Sequence, residues 1–190
     1  MKQIDLVILA AGKSSRFGSL KGFAFYEGTP LLESAIQLHQ SHFDGKTIVV
    51  YSKDSQLYCD KLAPCFPDAI FIENEEPENG PFSSLQKGLK ESTAQFSFVL
   101  PVDCPCRNHL SWLKLSKKID NHSLVIKPSF NDKGGHPILI QKKIIHKIIA
   151  SSPTSKLNLF LRQLSFDVLK YVPLTDPTIL ENVNTPKDLR

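Results

Sequence analysis

Two rhythms of apolar and polar positions run along this chain, and the switches between them mark its elements. Ile4–Leu9 reads as a strand-like apolar run of the kind buried on both faces of a parallel sheet. Leu31, Leu32, Ala35 and Ile36 then recur at helix spacing, directly after Pro30, a favoured first-turn residue. Thr47–Tyr51 (TIVVY) predicts a second strand, Leu57–Leu62 a short helix and Ala69–Ile72 a third strand. Phe82, Leu85 and Leu89 mark one helix face, and Phe96–Leu100 a fourth strand. Leu110 and Leu113, with Lys117, mark the next helix face, and Ser123–Ile126 a fifth strand.

The rhythm changes after Phe130. Asn131–Gly135 (NDKGG) reads as a turn, and His136–Ile140 follows as a strand at short range, which predicts an antiparallel pair. Ile144, Ile145, Ile148 and Ile149 form one helix face, Leu157, Phe160, Leu161 and Leu164 another, and a late strand lies near Val168–Val172. Alternation of strand and helix predicts βαβ units. The expected fold class is therefore α/β: a single three-layer Rossmann-like domain over 1–190, its sheet mostly parallel with a late antiparallel strand.

Composition narrows the possibilities further. With 190 residues, 41% hydrophobic and 22% charged, the chain is long enough for a real core and is neither disordered nor a membrane protein. No apolar run approaches the ~20 residues needed to span a bilayer. Ile4–Ala11 is too short for a signal peptide and is followed by Lys13 and Arg16, so the expected location is cytoplasmic. A net charge of +4 suits a small anionic substrate and argues against a nucleic-acid partner. Cys59, Cys65, Cys104 and Cys106 lack the spacing of zinc pairs and are expected as free thiols.

Ligands of open α/β sheets lie at the carboxyl ends of the strands, and three polar loops follow predicted strands here. The first is LVILAAGKSSRFGSLKG, Leu6–Gly22, which ends a strand in a small-residue turn and then adds Lys13, Arg16 and Lys21. It is neither a P-loop nor a dinucleotide fingerprint. Backbone N–H groups near Gly12, the hydroxyls of Ser14 and Ser15 and the three cations could surround a triphosphate; a solvated basic turn is the alternative. The second loop, Pro77–Leu89, has the tight turn Asn79-Gly80-Pro81 leading into a helix, with Ser83 and Ser84 in its first turn. It suits a base or ribose, or else is a simple turn and N-cap. The third, Phe98–Arg107, sets Asp103 between Pro101 and Pro105, as a divalent-metal ligand or as a helix cap.

Taken together and in order, LAAGKSSRFG with Lys21, NGPFSSL, PVDCP, GGHPILI and ENVNTPKDL (Glu181–Leu189) resemble the molybdenum cofactor nucleotidyltransferases, the MobA/MocA-like group of the nucleoside-triphosphate transferase superfamily. The resemblance runs from residue 6 to the C-terminus, with its first and last motifs the most specific. It implies the fold of the nucleotide-diphospho-sugar transferases. It also implies that Leu9, Ala10, Ala11 and Gly12 contact base and ribose, with Lys13, Ser14 and Ser15 beside them. Asn79, Gly80, Pro81 and Ser84 would complete the base pocket. Arg16 and Lys21 would bind phosphates, Asp103 and Asn184 would hold Mg2+, and Gly135, His136 and Pro137 would lie near the acceptor. For His136 a turn histidine with a backbone partner is the competing reading.

The implied reaction is Mg2+-dependent transfer of a nucleoside monophosphate from GTP or CTP to a phosphorylated acceptor, molybdopterin by resemblance, with release of pyrophosphate. LAAG is closer to the cytidylyl-transferring relatives, whereas Lys21-Gly22, ENVNTP and Phe160-Leu161-Arg162 are closer to the guanylyl branch. Two other readings stay open. One is the same chemistry on a sugar phosphate or other small phosphate; the other is a non-catalytic nucleotide-binding protein.

Overall fold

The computed structural model describes residues 1–12, 21–120, 122–165 and 167–189, with only the backbone described at residue 21. In chain order its strands and helices are β1 (Asp5–Leu9), β2 (Phe25–Tyr26), β3 (Thr29–Pro30), α1 (Leu31–His42), β4 (Thr47–Tyr51), α2 (Gln56–Leu62), β5 (Ala69–Glu73) and α3 (Pro81–Glu91). They continue with β6 (Phe96–Pro101), α4 (His109–Lys117), β7 (Val125–Phe130), β8 (Lys133–Gly134), β9 (Ile138–Gln141), α5 (Lys142–Ile149), α6 (Leu157–Arg162) and β10 (Leu169–Pro173).

One eight-stranded sheet dominates, in the order β10-β7-β9-β6-β1-β4-β5 with β8 paired to β7. β1 pairs in parallel with β4 and β6, and β4 with β5, as the alternation of strand and helix predicts. β9 is wedged antiparallel between β6 and β7, which meets the expectation of a late antiparallel strand. Because β9 is reversed against both neighbours, β7 and β10 run in the same direction as β1 and β6. The carboxyl ends of β1, β4, β5, β6, β7 and β10 therefore meet at one edge.

The strands carry apolar side chains to both faces, because both are covered by helices. Leu6 and Ile8 join Leu32 and Ile36 of α1 and Trp112 and Leu115 of α4 in one core. Val7, Ile48 and Val50 join Phe82, Leu85 and Leu89 of α3, Ile144 and Ile148 of α5 and Leu161 of α6 in the other. Helix α3 lies very close to the sheet. A Cβ built on Gly88 would stand 2.4 Å from Val7 Cγ1 and 2.8 Å from Val50 Cγ2, so only glycine fits there without displacement.

The structure corrects the reading of α4. Leu110 is 55% exposed, whereas Ser111, Trp112, Leu115 and Ser116 face inward. Trp112 decides the rotation: its ring centroid lies 4.9 Å from that of Phe98, and its indole N–H donates to the Cys106 carbonyl at 3.0 Å. The two serines cost little there, since Ser111 donates to Asp176 at 2.6 Å and Ser116 to the Leu113 carbonyl at 3.0 Å. The fifth strand starts later and runs further than its apolar core suggests, and the β2–β3 hairpin, turning at Glu27-Gly28 with both φ positive, carries no long apolar signal. No helix among the described residues is long and apolar enough to cross a membrane. None of the four cysteines is in a disulfide.

Candidate functional site

β1 ends where its ladder ends. The Ala10 N–H donates to the Val50 carbonyl at 2.8 Å, after which the chain leaves the sheet at Ala11 and Gly12. β6 ends beside it, with the Val102 N–H donating to the Leu9 carbonyl at 3.1 Å. A pocket of about 420 Å³ opens over these two strand ends. Leu9, Ala10, Ala11 and Gly12 form one wall, Pro101, Val102 and Asp103 a second, and Pro77, Gly80, Pro81 and Ser84 a third. Gly22 and Phe23 complete the described lining. The site sits between β1 and β6, where the strand order switches, the position at which open α/β sheets hold ligands. The chain leaves β1 outward to β4 and β5 and then crosses back to β6 on the other side of β1.

Three separate loops of the sequence thus converge on one cavity. Lys13, Ser14, Ser15 and Arg16 lie outside the described residues, as does the side chain of Lys21. Their loop is bounded by Gly12 and Gly22, both of which line the pocket. Asn79 is placed differently from its neighbours: it is absent from the described lining, and its amide donates to Glu76 at 2.8 Å.

The carboxylate of the pocket is not a helix cap. Asn108 caps α4, accepting from the Leu110 N–H at 3.1 Å, so the capping alternative for Asp103 is set aside. The Asp103 carbonyl accepts from the Val183 N–H at 2.8 Å, which brings Asn184, one residue on, beside the Asp103 turn. The Asn184 N–H is held by the Asp188 carboxylate at 2.9 Å. No group of three or more His, Cys, Asp or Glu side chains poised for a metal occurs among the described residues. An ion here would need oxygen ligands from the bound molecule, which suits a hard cation and a polyphosphate.

Behind Asp103 lies a second cluster. Cys104 Sγ is 3.6 Å from His136 Nδ1 and 3.2 Å from Asn182 Oδ1. The His136 ring therefore meets a thiol, while its backbone N–H donates to the Ile179 carbonyl at 2.9 Å. A Cβ on Gly135 would lie 2.2 Å from that same carbonyl oxygen, so the turn admits only glycine at this close approach. Pro137 follows through a cis peptide bond. Burial, and then the ammonium of Lys127, push the His136 pKa down to about 4, so the imidazole is neutral at pH 7.

Two contributors escaped the sequence. Lys127 on β7 has its own pKa lowered by burial and by the nearby Arg162 guanidinium, and it places positive charge near His136. Asn74, 4% exposed, follows β5 and donates to Ser83 Oγ at 3.0 Å and Ser84 Oγ at 2.9 Å. No pattern marks either: each is a lone polar residue in or after a strand.

The family model for the MobA-like NTP transferase domain matches residues 6–168, spanning all three pocket loops. The chain belongs to that family. It is 30% identical over 118 residues to a probable molybdenum cofactor guanylyltransferase of Geobacillus sp. (strain WCH70), covering 62% of this chain but only 58% of that relative's length. It is 26% identical over 199 residues to a probable molybdenum cofactor guanylyltransferase of Methanocaldococcus jannaschii, covering 96% of this chain and 95% of the relative. A solved nucleotidyl transferase from Methanothermobacter thermautotroptrophicus superposes with a TM-score of 0.80 at 20% identity, covering 99% of this chain and 94% of that one. At that identity the superposition speaks to the fold.

Proposed function

We propose that this transferase domain moves a nucleoside monophosphate from GTP or CTP to a phosphorylated acceptor of the molybdopterin type, releasing pyrophosphate. The observation that carries the reading is the convergence of the Leu9–Gly12 backbone, the Gly80–Ser84 turn and the Asp103 carboxylate on one pocket. The family match and the two guanylyltransferase relatives support the choice of acceptor and favour GTP.

In this reading the base and ribose lie along Leu9–Gly12 and against Gly80, Pro81 and Ser84. The triphosphate turns toward the loop between Gly12 and Gly22, where Arg16 and Lys21 hold its outer phosphates and Lys13, Ser14 and Ser15 add donors. An oxygen of the acceptor phosphate attacks the α-phosphorus, and the bond from that phosphorus to the oxygen leading to the β-phosphate breaks. Two anions must meet. Unit charges about 4 Å apart repel by roughly 1 kcal/mol in water and ~4 kcal/mol at an effective dielectric of 20. Charge compensation therefore matters more than a general base, and an already ionised phosphate needs no proton removed. Asp103 and Asn184 would hold Mg2+, which supplies Lewis-acid neutralisation of phosphate oxygens when bound. Gly135, His136 and Pro137 border the acceptor side, with the neutral His136 offering a hydrogen bond rather than charge.

The test has two stages. Thermal denaturation with each of the four nucleoside triphosphates and Mg2+ should show stabilisation of about 2.7 kcal/mol by a ligand present at 100 times its dissociation constant. Pyrophosphate release is then measured with molybdopterin and with sugar phosphates. Stabilisation by GTP or CTP with molybdopterin-dependent release supports the reading. Release only with a sugar phosphate reassigns the acceptor, and stabilisation without release with any acceptor leaves a nucleotide-binding protein.

A further inference from the structure

The hydrogen bonds around Asn74 have a fixed direction, and that direction reaches the pocket. Asn74 Oδ1 accepts from the Glu76 backbone N–H at 3.1 Å. A backbone N–H can only donate, so the amide cannot be flipped, and its nitrogen must face the two serines. It gives one proton to Ser83 Oγ and one to Ser84 Oγ, at 3.0 Å and 2.9 Å.

The two hydroxyls then part ways. Ser83 passes its own proton to the Gly80 carbonyl at 2.8 Å, with the Glu76 carbonyl at 3.2 Å. A serine in a helix commonly returns its proton to a carbonyl three or four residues back. For Ser84 the carbonyl four back belongs to Gly80, already bonded to the Ser83 hydroxyl and to the Ser83 N–H at 3.2 Å. Ser84 Oγ thus receives a proton from Asn74 and donates to no described residue, while Ser84 itself lines the pocket.

We infer that Asn74 is a positioning residue of the pocket: by occupying one lone pair of Ser84 Oγ it turns that hydroxyl's proton away from itself and toward the ligand, so that this wall favours a base edge presenting an acceptor. The relay runs from the Glu76 N–H through the Asn74 amide to the Ser84 hydroxyl and out to the ligand. Asn74 touches no ligand itself, and its burial keeps water from supplying an alternative partner. The inference rests on the nucleotide reading of the site and deepens it from a pocket that holds a base to one whose hydrogen-bond sense is set from behind.

Asn74→Asp keeps the size and shape of the side chain but turns two donors into acceptors. The carboxylate still takes the Glu76 N–H and now draws the Ser84 proton inward, presenting lone pairs to the ligand. The Michaelis constant for the preferred triphosphate should rise about tenfold while the turnover number changes far less. Relative preference among the four triphosphates should narrow or shift as well. In a Ser84→Ala background the same substitution should add nothing, because the hydroxyl it acts through is gone. Equal loss in both backgrounds, or a uniform loss for all four triphosphates, would show a merely structural role and overturn the inference. Thermal midpoints of the three variants separate misfolding from altered binding, and Asn74→Ser provides a smaller polar replacement should the aspartate variant fold poorly; it too should act only when Ser84 is present. If the wild-type protein binds none of the four triphosphates, the nucleotide reading itself fails, an outcome distinct from any variant result.

Discussion

The backbone N–H of Val183 donates to the carbonyl of Asp103 at 2.8 Å, joining the last motif of the chain to the turn that carries the pocket's carboxylate. Eighty residues separate these two positions in the sequence, and the bond makes Asp103 and Asn184 neighbours. A cation held there would meet one carboxylate and one amide oxygen, and would depend on phosphate oxygens for the rest of its shell.

Removing the carboxylate should therefore stop the reaction. Asp103→Ala is expected to lower turnover by at least about a hundredfold, and raised Mg2+ should not restore it. Asn184→Asp adds a second carboxylate and should lower the Mg2+ concentration needed for half-maximal rate. Rate measurements across a Mg2+ titration check both; normal turnover of Asp103→Ala would place the metal elsewhere.

Ala11 is 4% exposed and lines the pocket at the end of β1. Its methyl group fills space beside a backbone expected to read the base. Ala11→Gly should alter the ratio of kcat/KM for CTP against GTP. Kinetics with both triphosphates on both proteins decide the point, and an unchanged ratio moves base selection to the Gly80–Ser84 wall.

Gly88→Ala weighs two opposed effects. Alanine is the better helix former by about 0.8–1.0 kcal/mol, but overpacking a rigid core costs about 1–3 kcal/mol. The new methyl would meet Val7 and Val50, both fully buried, β-branched and unable to swing aside. The variant should be less stable, with a lower urea midpoint and an unchanged m-value. A midpoint at or above wild type would mean that α3 can lift from the sheet.

His39 makes stability depend on pH. Its ring is fully buried, with Nε2 2.8 Å from the Ile4 carbonyl and Nδ1 2.8 Å from Thr47 Oγ1, an arrangement suited to the neutral imidazole. Burial lowers its pKa from 6.5 to about 4, against smaller raising effects of the Ile4 carbonyl and Asp5. Between these values the unfolded chain binds a proton that the folded chain refuses, so stability is full above pH 6.5 and falls as pH drops toward 4. The loss amounts to about 3 kcal/mol. Urea titrations of wild type and His39→Gln across this window should show a shallower pH dependence in the variant, and the His39 ring resonances should report a neutral imidazole down to pH 5.

The core was legible wherever one period dominated. TIVVY became β4 at the predicted positions, and Phe82, Leu85 and Leu89 are all buried on α3. α4 was misread because leucine spacing weighed more than one tryptophan, and the Trp112 ring buries more surface than Leu110 could. The three pocket loops were found because each follows a strand and carries unusual chemistry. Lys127 and Asn74 were not, since a single polar residue has no period, and its role depends on what is packed around it.

What the sequence determined by itself was the alternation of strands and helices, the order of the motif-bearing loops and the family to which they belong. These are local properties: periodicity, turn residues and spacing are written along the chain. How the loops wall one cavity, which hydroxyl keeps its proton and how Val183 ties the last motif to the Asp103 turn were decided only by tertiary structure. The reversed β9 puts His136 behind Asp103, and the close approach of α3 to β1 sets Ser84 across from Leu9–Gly12. Hydrogen-bond direction adds the last constraint, because a backbone N–H can only donate, and so the amide at Glu76 settles which way Asn74 faces.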